Sequence, residues 1–217
     1  DAKMIMMLAD IYPEGLAIKN RDGNLPIHSA IERGDKMPVE VISKLLNGFP
    51  GATKKHDKDK NLPLHCAFHC LQSHLVEVAS LLVSVDGESV AEPSKQLGLL
   101  LHWACSNLKP VELIRAMVQA NPAAVGMKDK GGNTVLHIAC ELGDRCPAGV
   151  IEVLARAYPE CVKIKDKDGN TPLHSAAEHH KAQLISYLKQ EGKEEILSYI
   201  KENTLDLFSK EFQGELF

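Results

Sequence analysis

The residues best suited to chemistry form a run of imidazoles and thiols at 65–70, His-Cys-Ala-Phe-His-Cys, with a further histidine, His74, beyond it. On a helix, residues four apart share a face, so Cys66 and Cys70, or Cys70 and His74, offer the sulfur and nitrogen ligands that zinc prefers. The Cys-x-x-Cys spacing of structural zinc sites is absent, however. We therefore predict no metal here, and thermal stability that a strong chelator leaves unchanged would exclude a zinc-stabilised domain.

A calcium loop is the second chemical candidate, because Asp57, Asp59 and Asn61 match the first three ligand positions of an EF-hand. Leu62 stands where that loop requires glycine, and Phe68 stands where it requires glutamate. The sequence also contains no phosphate-binding GxxxxGK, no GxSxG and no HExxH. It predicts no catalytic residue, no metal ligand and no cofactor, and hence no enzyme.

Half of the ten histidines follow a period instead. They stand at 28, 65, 102, 137 and 174, with spacings of 37, 37, 35 and 37, and each is followed two residues later by alanine. A fixed period of this length indicates a repeated unit. Two short helices cannot bury their apolar faces alone, so such units gain stability by stacking on their neighbours.

Turn signals and prolines frame each unit. Thr171 is placed to cap a first helix that Pro172 begins, and a proline column is placed to end the second helix. The turn signals lie at 22–24, 59–61, 131–133 and 168–170, and the prolines are Pro13, Pro50, Pro122 and Pro159, with Asp86 in the gap.

The strings at 24–30, 134–139 and 171–176, namely NLPIHSA, TVLHIA and TPLHSA, resemble ankyrin-repeat motifs. The resemblance covers roughly residues 1–190 and implies an all-α ankyrin-repeat solenoid of helix–turn–helix units with short β-hairpin-like connections. It also implies that the histidines form hydrogen bonds between repeats. The units are longer than the family's usual thirty-three residues, and the third, at 97–102, lacks the capping threonine and the proline. Leu25 and Leu62 also replace that threonine, which costs about 1 kcal/mol each unless burial compensates.

The register divides the chain into a truncated second half of a repeat, five repeats and a tail. A helical C-terminal cap is expected because 193–212 is amphipathic; the alternative is a helix that binds a partner. The boundaries are 1–19, 20–56, 57–93, 94–128 (degenerate), 129–165, 166–190 and 191–217 for the cap.

Composition narrows the functional classes. The 217 residues carry a net charge of −4 with mixed signs and no long apolar run, which argues against nucleic acid and against membrane insertion. Six scattered cysteines in a chain that can build a core favour reduced thiols, and hence an intracellular, most simply cytoplasmic, protein. Since the first residue is Asp1, we expect the chain to belong to a larger polypeptide or complex.

The resemblance places the partner surface at the hairpin tips and the exposed ends of the first helices, on a concave face. One tip column is basic in all five repeats, although neighbouring aspartates neutralise part of it, and ordinary solvated turns are the alternative. Trp103 is either an aromatic anchor or a filler of the irregular third repeat. The candidate partner-binding residues are Arg21, Asp22, Asn24, Lys58, Asp59, Asn61, Lys95, Trp103, Lys130, Asn133, Lys167, Asp168 and Asn170.

Two functions are compatible with this pattern. The first is a non-catalytic scaffold that binds another protein through the tips and the concave face. The second is a regulatory or anchoring module of a larger enzyme or membrane-associated assembly, which the sequence flanking Asp1 would reveal. The fold alone names no partner.

Overall fold

The computed structural model describes residues 1–94, 97–146 and 148–178. Two compact units are present: residues 1–100 with 119–121, and residues 101–118 with the described residues from 122 onward. Lys95, the end of the last repeat and the proposed C-terminal cap at 191–217 lie outside the described residues.

The described residues fold into α-helices joined by 3₁₀ turns and tight hairpins. After α1, first and second helices of the repeats alternate along the chain. The helices are α1 (Ala2–Ile11), α2 (Pro26–Glu32), α3 (Val39–Gly48), α4 (Pro63–Cys70), α5 (Leu75–Val85), α6 (Leu100–Ser106), α7 (Val111–Ala120), α8 (Val135–Glu141), α9 (Ala148–Ala157) and α10 (Pro172–Glu178).

The proline column ends the second helices as predicted. Each α-helix stops two residues before its proline, and the proline then opens a 3₁₀ turn, where its fixed φ fits and its missing N–H costs nothing. These turns are Pro13–Ala17, Pro50–Lys54, Pro122–Gly126 and Pro159–Lys163.

The alanine column allows the first helices to pack closely. All five alanines are buried, and α2 lies against α4 in the first unit, as α8 lies against α10 in the second. Three of these helices also pack on the second helix of their own repeat, in the pairs α2–α3, α4–α5 and α8–α9. The helix–turn–helix repeat predicted from the spacing is thereby confirmed.

One backbone hydrogen bond recurs where the hairpin-like connections close. The N–H of Asn20 donates to the carbonyl of Asn24 at 2.9 Å, and the same bond recurs at Asp57–Asn61, Asp129–Asn133 and Asp166–Asn170. Within 1–94, 97–146 and 148–178 no β-strand forms, and the single β-bridge joins Ser94 and Gly98.

Lys60 occupies a hairpin position that three other repeats give to glycine. Its φ is +65°, like the positive φ of Gly23, Gly132 and Gly169. A side chain in this left-handed region costs about 1 kcal/mol or more. We expect Lys60→Gly to raise the free energy of unfolding by about 0.5–1 kcal/mol, net of the entropy that glycine adds to the unfolded chain. Urea unfolding measures it.

Lys55→Gly is the matched control, because Lys55 is exposed with φ −105°. It should lower stability, since there glycine brings only its entropic cost. Equal losses in the two variants would contradict the strain assigned to Lys60.

All six cysteines are present as thiols. Burial raises the pKa of the Cys161 thiol to about 12, so it behaves as a core residue and not as a nucleophile. In the part of the chain that the structure describes, no helix combines the length and the apolar character needed to cross a bilayer.

Candidate functional site

The hairpin tips are shaped by an acid or amide eight residues before each repeat histidine. Its side-chain Oδ1 accepts the backbone N–H groups two and four residues further on, at 2.8–2.9 Å. These organising residues are Asn20, Asp57, Asp129 and Asp166. The sequence argument missed them, although their spacing of eight from the histidines is regular and was available as a signal.

The third hairpin has a different construction. Ser94 takes the organising position and exchanges two backbone hydrogen bonds with Gly98, at 2.9 and 3.0 Å. Its hydroxyl accepts the N–H of Leu97 at 3.4 Å and donates to the Asn61 side chain at 3.3 Å. This is the structural counterpart of the degenerate repeat seen in the sequence.

The repeat histidines cap their own helices. In four repeats Nδ1 accepts the backbone N–H three residues earlier, which is the helix N-cap: Leu25, Leu62, Thr134 and Thr171, at 3.0–3.3 Å. The hydroxyls of Thr134 and Thr171 also reach Nδ1, at 2.8 and 2.7 Å. Leu25 and Leu62 are each 1% exposed, so the burial that could offset a missing threonine is present.

The other ring nitrogen ties the histidine to the following repeat or hairpin. Nε2 of His102 donates to the Asn133 carbonyl at 3.0 Å, and Nε2 of His137 donates to the Asn170 carbonyl at 3.1 Å. Nε2 of His65 donates to the Glu92 carbonyl at 2.9 Å. Among the described residues, Nε2 of the buried His28 has no hydrogen-bond partner.

These contacts require a neutral imidazole that accepts at Nδ1 and donates at Nε2. Burial lowers the pKa of His28, His65, His102 and His137, and the neighbouring carbonyls offset only part of that effect. The histidine column therefore has a structural role. His102 forms only one of the two hydrogen bonds, because its buried Nδ1 has no partner among the described residues.

The charged tip residues are exposed, as the sequence analysis expected. Lys58 forms an ion pair with Asp22 at 2.8 Å, which raises the pKa of the lysine, and Lys167 Nζ donates to the Lys130 carbonyl. Arg21, Asp59, Lys130 and Asp168 also project into solvent. The basic column is thus partly neutralised in the first unit by Asp22.

The tip asparagines lie further inside. Asn24 is 8% exposed, and its amide donates to both oxygens of Glu32, at 2.8 and 2.9 Å. Asn61, Asn133 and Asn170 are half-buried, and their carbonyls close the hairpins. Trp103 is also half-buried, and Lys109 Nζ lies 5.1 Å from the centre of its ring.

Asp35 supplies a second link between repeats. Its carboxylate accepts the N–H groups of Gln72, Ser73 and His74, at 3.2, 3.0 and 3.4 Å, where α5 begins. These donors lower the pKa of Asp35 to about 2. The carboxylate of one repeat thus fixes the turn that leads into the second helix of the next.

One group of potential metal ligands occurs among the described residues: Glu32, Asp57 and Cys66, whose ligand atoms all lie within 4.8 Å of one another. It differs from the Cys66, Cys70 and His74 combination considered from the sequence. The Cys66 thiol donates to Asp57 Oδ2 at 3.8 Å, and burial raises its pKa. The proton of the Cys66 thiol therefore already links Cys66 to Asp57 within this group.

Comparison with known proteins gives a family model and a fold. Residues 101–198 match the model for ankyrin repeats (three copies). No curated protein sequence is significantly similar to the chain.

Several solved structures share the fold at low sequence identity. The crystal structure of EF0377, an ankyrin repeat protein, superimposes with a TM-score of 0.62 at 14% identity, covering 87% of this chain and 94% of that one. The ankyrin repeat domain of Bcl-3, from the IκB protein family, gives 0.64 at 18% identity, covering 88% and 82%. A chain from the complex of the Bdellovibrio bacteriovorus predatory endopeptidase Bd0816 with immunity protein Bd3460 gives 0.58 at 16% identity, covering 87% and 98%.

Proposed function

Because the chain is an ankyrin-repeat protein, we propose that it is a non-catalytic scaffold that binds another protein through its hairpin tips and the exposed ends of its first helices. Ankyrin repeats generally mediate protein–protein interaction, and one of the similar structures comes from a protein complex. The partner that fits these tips is a protein surface with charges complementary to tips of mixed sign.

The observation that carries the proposal is that one side chain in the tip holds the turn while its charged neighbours face the solvent. The organising side chain at Asn20, Asp57, Asp129 or Asp166 satisfies the backbone N–H groups, so the turn keeps its shape without a partner. The charged side chains beside it are therefore not needed to hold the turn. Rigid turns that present exposed charges lose little conformational entropy on binding.

Trp103 fits the same proposal from the middle of a first helix, α6. Its half-buried ring is covered on one side by Lys109. A partly buried aromatic ring that leaves part of its surface exposed is the kind of group that anchors binding surfaces. A regulatory or anchoring module would present the same residues, and the sequence that flanks the chain would distinguish it.

Charge reversal at two tips tests the surface. We expect Arg21→Glu with Lys130→Glu to weaken association with the native partner by about tenfold, as rim charges do when they face complementary groups. Both residues are exposed, and their side chains form no ion pair among the described residues, so folding should be unaffected. Quantitative co-purification from native cells gives the ratio.

The matched control is Lys3→Glu with Arg115→Glu, which makes the same change in net charge on exposed positions of second helices. It should leave association unchanged. Loss of the partner in the control variant, with full retention in the tip variant, would place the interface on the opposite face and overturn the proposal.

A further inference from the structure

The N-terminal helix, α1, carries the largest exposed apolar surface among the described residues. Six large apolar side chains on α1 or just after it are between 52% and 70% exposed: Met4, Met7, Leu8, Ile11, Tyr12 and Ile18. Elsewhere in the described chain such side chains occur singly, as at Val85 and Leu108. A continuous patch of this kind marks a surface that normally lies against something.

The repeat register shows what covers the equivalent surface one repeat later. Advancing by 37 residues takes Met4 to Val41 and Leu8 to Leu45, which are 0% and 3% exposed. These residues lie on α3, which packs against α2, the first helix of its own repeat. These two side-chain positions are therefore buried on α3, where a first helix is present, and exposed on α1.

The first helices give the same result independently. Pro63 and Cys66 on α4, and Pro172 and Ser175 on α10, are buried where a preceding first helix packs against theirs. Their counterparts on α2, Pro26 and Ser29, are half-exposed. Two separate surfaces, one on α1 and one on α2, thus match the two faces of a single missing neighbour.

We infer that a further ankyrin-type first helix, supplied by the same polypeptide ahead of Asp1, packs on α1 and α2. A covalently connected helix has a high effective concentration and arrives in the register that both surfaces require. A second copy placed by a two-fold axis would bring α1 against α1, and would leave Pro26 and Ser29 without the neighbour that their counterparts have.

The register also specifies the sequence of that helix. With the observed spacings of 35 to 37, its histidine stands eight to ten residues before Asp1, and an alanine follows two residues after it. Its Nε2 donates to the carbonyl of Asn24, which occupies the position of Asn133 and Asn170. The alanine lets the new helix approach α2 closely.

Sequencing of the native protein and hydrogen exchange test this inference. We expect the His-x-Ala pattern at those positions, and amides of α1 that exchange about tenfold or more slowly in the native polypeptide than in residues 1–217 alone. The double variant Met4→Asp, Leu8→Asp should lower the Tm of the native polypeptide and leave that of residues 1–217 unchanged. The control Val85→Asp, Leu108→Asp should lower neither.

Three results would overturn it. The first is a native sequence without the pattern, and the second is equal exchange of α1 in the two polypeptides. The third is a dimer of residues 1–217 in sedimentation that the Met4→Asp, Leu8→Asp variant dissociates, because the apolar face then takes a second copy.

Discussion

Replacing His137 with alanine should destabilise the second unit by about 3–5 kcal/mol. The side chain is 0% exposed, so its removal leaves a cavity. It also leaves the buried Thr134 N–H without its acceptor at 3.1 Å, and removes one of the two donors to the Asn170 carbonyl, which keeps the Asp166 N–H. Buried groups left without partners add to the cost of the cavity. Urea unfolding followed by circular dichroism gives the difference.

His102 is the matched control for that experiment, because it belongs to the same column and the same unit. It is also buried, but among the described residues only its Nε2 has a hydrogen-bond partner. His102→Ala should therefore cost about 1–1.5 kcal/mol less than His137→Ala. Equal costs would show that the N-cap bond at Nδ1 contributes nothing, and that the column acts only through its volume.

Mild acid should unfold the protein through the same histidines. Burial holds the pKa of four repeat histidines below 6.5 in the folded chain, whereas the unfolded chain binds protons near 6.5. The unfolded state therefore takes up more protons as the pH falls below about 6.5. The free energy of unfolding must then decrease with falling pH, by up to about 1.4 kcal/mol per pH unit for each histidine.

Urea midpoints at a series of pH values between 8 and 5 measure this dependence. His137→Gln removes one titrating group while keeping an acceptor at the capping position, so the slope below pH 6.5 should become shallower. A stability that does not change between pH 7 and pH 5 would contradict the neutral, buried state assigned to the column.

Asp35 makes the free energy of unfolding depend on pH in a second, lower pH range. Its pKa is lowered to about 2, so the hydrogen bonds that its carboxylate accepts in the turn before α5 are complete above pH 4 and are lost as the pH falls toward 2. The histidine and aspartate effects have the same sign but separate ranges. The losses between pH 6.5 and 5 can therefore be assigned to the histidines.

The architecture was predictable because its signals are periodic. The histidine and alanine columns set the repeat length, and Pro13, Pro50 and Pro159 located the ends of second helices to within two residues. The proline signal has a local cause, whereas the histidine and alanine columns recur because successive repeats meet in the same way. The hydrogen bonds between repeats that the resemblance implied for the histidines are present at His102 and His137, whereas His65 bonds to Glu92 within its own repeat.

The construction of the tips was less accessible. In the sequence Asn20 looks like an ordinary loop residue and Asp57 like a calcium ligand, and only the folded hairpin shows that each Oδ1 accepts two N–H groups. The left-handed backbone of Lys60 was hidden because the residue type argues against it. The choice between a partner surface and solvated turns depends on a second molecule, so neither sequence nor fold decides it.

A photo-crosslinking amino acid placed at single positions tests the binding surface most directly. Lys60 lies in a hairpin tip and Glu40 on the second helix α3, and both are exposed. With the probe at Lys60, we expect a crosslinked protein partner from native cells, identified by its peptides, and no such product with the probe at Glu40. Crosslinking from Glu40 alone would contradict a scaffold that binds through its hairpin tips.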